Sequence, residues 1–373
     1  MSSVEVRESR NLREVDEAYE LASKIFGPGY FEAKAMKAHI RQLEPVNDVR
    51  DVLIAVSDSK VVGLVRIVDR ALYSPIGLLK VGGITSVCIH PDLRGQGWGI
   101  KIMEESICRS MRRKDVFSVL FARRAVDGWY PKLGYVGIGC HVELHVDKIE
   151  VDKSAFKGEI RAGIARESLS AYAAAYSDSY QNLFLSFFRD AAWWEKLDQR
   201  LVGKVASSDF FTVISDGALI GYFALQSGRI VEAASLHKHQ REFLSGMIHW
   251  AVERNAKLIL TLPLEHWCAV FFRRFNHVWS VRYSWDGGHM ARVVNMEKVE
   301  AMLNSTRFMQ DGQHYVSAAS GDTGPDDHMS AKQAMLTLVG ALPASLPGDG
   351  GRLNLPKNSR MLASPTWSIV DEF

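Results

Sequence analysis

Residues 84–113 read ITSVCIHPDLRGQGWGIKIMEESICRSMRR, and the reading of this stretch decides the fold. Ile84 to Ile89 is apolar and rich in β-branched residues, and it stops at His90-Pro91, where proline ends a ladder; this is a buried strand. Gly95, Gly97 and Gly99 follow, three glycines within five positions. The period then changes: Ile100, Met103, Ile107 and Met111 recur at helical spacing, and Arg109, Arg112, Arg113 and Lys114 gather at the end, where cations suit the helix dipole. Glycines at a strand-to-helix turn let backbone N–H groups converge, and the helix start adds partial positive charge, so the turn is suited to an anion such as a phosphate. It is not a P-loop, because no Gly-Lys-Ser/Thr follows, and the glycine spacing is not that of the dinucleotide fingerprint.

The remaining pattern is Val87-x-Ile89-x-Pro91-x-x-Arg94-Gly95-x-Gly97-x-Gly99. It resembles the acetyl-CoA signature of the GCN5-related N-acetyltransferases (GNAT), Arg/Gln-x-x-Gly-x-Gly/Ala after a strand. The resemblance implies that Arg94, Gly95, Gln96, Gly97, Trp98 and Gly99 hold the pyrophosphate of acetyl-CoA. It also implies that Val87, Cys88 and Ile89 lie along the pantetheine arm through main-chain contacts, where their strand splays from the next one, Val116 to Phe121. Trp129-Tyr130-Pro131-Lys132-Leu133-Gly134-Tyr135 looks like the family's Tyr-x-x-x-Gly-Phe/Tyr segment. Aminolysis of a thioester expels a thiolate, and a donor at hydrogen-bond distance assists its departure. Tyr130 is therefore the expected general acid, a packed aromatic flanked by Trp129 and Tyr135 being the alternative. The asparagine that many relatives carry after the preceding strand is absent here, with Ala122-Arg123-Arg124 in its place.

The chain has 373 residues, more than one core normally spans, so two or three units are expected. A hydrophobic share of 47% and a charged share of 24% describe a globular protein, and a net charge of +2 provides no overall attraction to nucleic acid or anionic membrane. Cys88, Cys108, Cys140 and Cys268 form no C-x-x-C pair, as expected of free thiols in a reducing compartment. With no apolar leader and no run of eighteen apolar residues, the expectation is a cytoplasmic protein.

From the start of the chain, Val4 to Val6 reads as a first strand and Asn11 as the N-cap of a helix, with Glu14 in the capping-box position and Leu12, Val15, Tyr19, Ala22 and Phe26 as its apolar stripe. A second helix is expected over 32–42. In the resembling family the segment between these helices borders the acceptor pocket, which makes Tyr30 and Phe31 acceptor-contact candidates, with Trp129 beside them. Asp51 to Val56 and Val61 to Val68 form a hairpin, Leu78 to Ile89 continues the sheet, and Val136 to His145 closes the unit. An internal echo begins near Ile160: Val56-Ser-Asp-Ser-Lys-Val-Val-Gly63 recurs as Ile214-Ser-Asp-Gly-Ala-Leu-Ile-Gly221. A strand at 229–234, a helix at 241–254, a strand at 258–262 and Phe271-Phe-Arg-Arg-Phe275 follow in the first unit's order, yet nothing matches Arg94-x-x-Gly-x-Gly. The second unit thus reads as a degenerate copy, with Trp193, Trp194, Trp250 and Trp267 as core or inter-unit surface. No metal is assigned, because the histidines lack ligand spacing.

The expected fold is tandem GNAT, each an α/β unit with a mixed, mostly antiparallel sheet flanked by helices: 1–147 catalytic, 158–303 degenerate, and 304–373 a short C-terminal segment. Two such modules and a final Phe373 resemble the Eis-type aminoglycoside acetyltransferases, whose terminal phenylalanine carboxylate enters the first active site. The resemblance implies that the Phe373 carboxylate accepts the acceptor's ammonium proton and that Glu372 attracts the cation. The segment after Asn304 is shorter than the sterol-carrier-like domain of those proteins. The expected activity is acetyl transfer from acetyl-CoA to a primary amine of a small cationic acceptor, aminoglycoside-like or amino sugar. The alternatives are a protein-lysine or other biosynthetic amine acyltransferase and a non-catalytic acyl-CoA sensor or scaffold. A small-molecule amine, no nucleic acid, no membrane and room for a homo-oligomer complete the expectation.

Overall fold

The computed structural model describes residues 4–303, apart from 27–45, 75, 123–125, 127, 139, 148, 150–155, 184–185, 202–204, 264 and 284–287. Tyr30, Phe31, the helix expected over 32–42, Arg123, Arg124, Glu372 and Phe373 lie outside the described residues.

The first half runs β1 (Val4–Glu8), α1 (Leu12–Phe26), β2 (Val52–Ser57), β3 (Lys60–Ser74), β4 (Gly77–Ile89), α2 (Trp98–Arg112), β5 (Phe117–Ala122), β6 (Val136–Gly137) and β7 (Cys140–Val146). The second runs β8 (Glu159–Ala162), α3 (Leu169–Tyr180), α4 (Ala191–Glu195), α5 (Leu197–Leu201), β9 (Phe210–Ser215), β10 (Ala218–Gln226), β11 (Arg229–Ser235), α6 (Gln240–Glu253), β12 (Leu258–Pro263), α7 (Trp267–Phe272), β13 (His277–Tyr283), β14 (Gly288–Val293) and α8 (Met296–Leu303). Asn11 caps α1 as its sequence demands: its side chain accepts from the Glu14 N–H at 3.0 Å, and Glu14 reaches back to the Arg10 N–H at 2.7 Å. The echoed hairpins fold alike. Asp58 and Ser59, and in the copy Asp216 and Gly217, all take positive φ, as two-residue turns with the twist of a hairpin require.

The strands form two seven-stranded sheets, ordered β1-β2-β3-β4-β5-β14-β6 and β8-β9-β10-β11-β12-β7-β13. The orders correspond position by position, and they show that the halves trade a strand. β7 leaves the first half to lie between β12 and β13, while β14 comes from the second half to lie between β5 and β6. The single strand expected over 136–145 is therefore two strands in two different sheets, because the chain crosses between them at Ile138. A cut of the chain near 147–158 does not separate the sheets. A second tie joins the halves where the β3–β4 hairpin meets residues 186–189. The Tyr73 N–H donates to the Ser186 carbonyl and the Phe188 N–H to that of Ala71, both at 2.8 Å. Beside this seam Arg189 is fully buried, bidentate to Glu232 at 2.8 and 2.7 Å, with Tyr222 donating to the same carboxylate at 2.6 Å. Trp193 and Trp194 pack there too and are buried, as is Trp250, while Trp267 is partly buried against the core of the second half.

Candidate active site

Where β4 and β5 meet, the ladder is brief: Val81, Gly82 and Gly83 pair in parallel with Phe117, Ser118 and Val119, and then the strands separate. Gly82 lets the end of α2 and the turn after it approach the sheet closely, since a Cβ there would meet Asp115 Oδ2 at 2.8 Å and Ser110 Oγ at 2.9 Å. Past it, Ser86 takes φ of +57° and the β3–β4 register shifts, a bulge that turns β4 away from β5. The opening leaves Ile84–Ile89 without β5 as a neighbour, so main-chain groups on that edge face a slot.

The glycine turn sits at the end of this slot. Gly95 and Gly97 have φ of +77° and +84°, a region that side chains rarely enter, and Gly97 is the N-cap of α2 with no side chain to satisfy the first-turn amides. Arg94 ties the turn to the strand by donating from Nε to the Ile89 carbonyl at 3.3 Å, and Gln96 donates to the Asp92 carbonyl at 3.2 Å. Trp98 lies half-buried beneath the Lys101 ammonium, 4.3 Å from its ring centre. The far end of α2 is anchored by ion pairs. Arg109 reaches Asp51 and Asp48 at 2.9 and 2.8 Å, and Arg113 reaches Asp115 at 3.0 Å besides pairing with Asp51 and Asp69. Burial of Asp115 pushes its carboxyl up, against the pull of Arg113.

Trp129 closes on the same helix start: a Cβ on Gly99 would stand 3.2 Å from its ring. Tyr130 follows in a single tight turn ended by Gly134 at φ +78°. It is buried, edge-on to Trp129 at 4.9 Å and to Tyr135 at 6.0 Å, while Tyr135 is hydrogen-bonded to Ser118 Oγ at 2.6 Å. Tyr130 shares one packed cluster with Ile84, Ile89, Ile102 and Met103, so it is a packed aromatic that also lies at the slot. Burial pushes its phenol up to about 12, so it keeps its proton through the neutral range, the state of an acid and not of a base. Cys88 points to the other face, under α1, where burial pushes its thiol up to about 12.

The structure thus brings Val87, Ile89, Arg94–Gly99, Trp129 and Tyr130 together, with the Cys88 side chain turned away. The structure also sets Phe121 and His289 side by side. Neither carries a motif, and they become neighbours only through the traded strand, in the pairing His289↔Phe121.

The corresponding place in the second sheet is filled. The Leu236 N–H donates to the Ile220 carbonyl just as that of His90 does to Val62, which sets Ala233 in the position of Val87. The main chain of Ala233 acts on the imidazole of His266, a fully buried side chain packed against Tyr180 and Trp267. His266 accepts from the Cys268 N–H at 3.3 Å, and burial pushes its pKa down to about 3, so it is neutral. The helix start has His239 as its N-cap in place of Gly97, and Glu242 in its first turn accepts from Ser215 Oγ and faces His239 at 3.4 Å. A carboxylate at a helix start takes the position an anion would use.

Residues 5–137 match the model of the acetyltransferase (GNAT) domain. The family match therefore covers the first half of the chain, and the second half is like known acetyltransferases by fold alone. Among solved structures, a GCN5-related N-acetyltransferase from Kribbella flavida aligns over 81% of this chain and 74% of its own, at 15% identity and a TM-score of 0.59. A conserved protein of unknown function from Enterococcus faecalis, termed a probable N-acyltransferase, aligns over 79% and 73% at 17% identity and a TM-score of 0.59. Eis1 from Mycobacterium abscessus aligns over 80% and 76% at 14% identity and a TM-score of 0.53. At these identities the likeness is one of fold, and its extent covers both sheets. No curated protein matches the sequence. Among the described residues no helix is long and apolar enough to cross a membrane.

Proposed function

We propose that the protein moves an acetyl group from acetyl-CoA to a primary amine of a small cationic acceptor, and that it does so only in the first sheet. The observation that carries this reading is an uncapped, glycine-led helix start lying at the end of a splayed β4–β5 pair, with a proton-bearing Tyr130 in the same cluster. The residues fit the cosubstrate: the amides of Gly95–Gly99 suit a diphosphate, and the free edge of Val87–Ile89 suits an amide-bearing arm. Bound acetyl-CoA supplies the activated thioester. The chain's own part is to bind it, orient it and hold a proton at Tyr130 Oη for the departing thiolate. Phe373, through its terminal carboxylate, and Glu372 stand in this reading as acceptor of the ammonium proton and as a source of negative potential; both rest on the resemblance alone. So do Tyr30 and Phe31 as acceptor contacts.

Calorimetry with acetyl-CoA tests the proposal. One equivalent per chain should bind, and Gly97→Val, which forces a β-branched side chain into left-handed backbone, should weaken binding at least about tenfold. Absence of binding by the native chain, or two equivalents per chain, overturns it. Thiol release that requires an amine separates an enzyme from a sensor, and a panel of aminoglycosides, amino sugars and lysine peptides separates the acceptor classes.

A further inference from the structure

β5 is an interior strand, paired along its length with β14, yet one of its six side chains is exposed. That side chain is Phe121, 38% exposed. An edge does not explain it, because β14 runs beside it from Gly288↔Ala122 to Val293↔Phe117. The reason is that β4 has turned away, so Phe121 stands where the slot opens. Strand alternation then fixes its side. Leu120 and Ala122 point into the cluster that holds Tyr130 and the first turns of α2, so Phe121 points to the opposite face. The α2 face is already filled by Ile102, Met103, Trp129 and Tyr130, which leaves Phe121's side as the approach for a second reactant. His289, from the second half of the chain, packs edge-on to the phenyl ring, with centroids 4.9 Å apart.

We infer that Phe121, held by His289, is an acceptor subsite that takes the apolar or aromatic body of the amine, which makes an arylalkylamine the preferred acceptor class. The inference rests on the acetyl-transfer reading and narrows it. An exposed ring buries most apolar surface against another ring or a methylene chain, and a hydroxyl-rich acceptor has less such surface to place there. Phe121 contacts the substrate; His289 is a positioning residue. The second half of the chain would then serve the reaction without a cosubstrate slot of its own, by delivering the strand that steadies the subsite.

The probe is 4-fluorophenethylamine, followed by its ¹⁹F linewidth with the full-length protein saturated in CoA, alongside acetylation of phenethylamine and glucosamine. The native protein should broaden the fluorine line and acetylate phenethylamine with a kcat/KM at least about tenfold above that for glucosamine. Phe121→Ala should abolish the broadening and raise the phenethylamine KM about tenfold with little change in kcat. Phe121→Leu, which keeps apolar volume and guards against a folding defect, should fall between. His289→Leu should raise KM less than Phe121→Ala does. Acetyl-CoA affinity should stay within twofold in all three variants. No broadening by the native protein, equal broadening by Phe121→Ala, or a preference for glucosamine overturns the subsite while leaving acetyl transfer standing. Failure of the native protein to take up CoA removes both.

Discussion

The two halves of this chain share a strand order, a hairpin turn and a helix at the same place, and they differ in what occupies the gap between the fourth and fifth strands of each sheet. In the first the gap is lined by main chain and led by glycines; in the second His266 lies against Ala233 and Glu242 sits at the helix start. The difference teaches that a binding slot in this fold is a default of the backbone, closed by ordinary side-chain packing. It stays open only where the sequence withholds side chains. The halves are also not independent, because each completes the other's sheet.

The largest expected effect tests that interdependence. Expressed separately as 1–147 and 158–373, each half would lack an interior strand of its sheet and carry an orphan one, so neither should show cooperative unfolding; a folded 1–147 that binds acetyl-CoA would break the comparison. Next is the seam. Arg189→Met strands the buried Glu232 carboxylate and should cost about 3–5 kcal/mol of stability by denaturant unfolding, while the double change Arg189→Met with Glu232→Leu should recover much of it. Tyr130→Phe sharpens the difference in chemistry. Turnover should fall about a hundredfold with acetyl-CoA affinity retained, and the native enzyme should lose no activity from Tyr130 below about pH 11 because its phenol holds its proton to about 12. Unchanged turnover in Tyr130→Phe would leave it only a packed aromatic.

The smallest effect concerns the filled slot. The folded pKa of His266 is about 3 against an ordinary 6.5, so the unfolded chain binds more protons between these values. The stability from keeping it neutral is complete above pH 6.5 and is lost as pH falls through that window, by at most about 1.4 kcal/mol per unit. His266→Gln should therefore flatten the acid side of a melting-temperature profile, and the same slope in both proteins would show that the imidazole is not held neutral.

The capping of α1 by Asn11, the paired hairpins, the glycine turn and the loss of that turn in the copy were all legible, because each depends on residues close in sequence. So was the placing of Trp129 and Tyr130 after the fifth strand, through a resemblance of motif. What defeated the reading of 136–145 was the choice of partner. Period-two alternation announces a strand but not its neighbours, and Val142 and Leu144 bury equally well in either sheet. The same limit hid the pairing of His289 with Phe121, 168 positions apart (289 less 121). Phe271–Phe275 echoed Tyr130 in sequence, yet the residue facing the second slot is His266, because α7 sets its own N-cap against the main chain of β11.

The sequence alone carried the likeness of residues 5–137 to the acetyltransferase (GNAT) domain and the glycine turn at the start of α2. A glycine turn leading a helix admits few backbone conformations, and those conformations are themselves the anion site. The tertiary structure alone settled which half completes which sheet, that the second slot is filled, and which ring stands exposed where β4 leaves β5. Those are outcomes of long-range packing, in which the deciding contact joins residues that no local pattern connects.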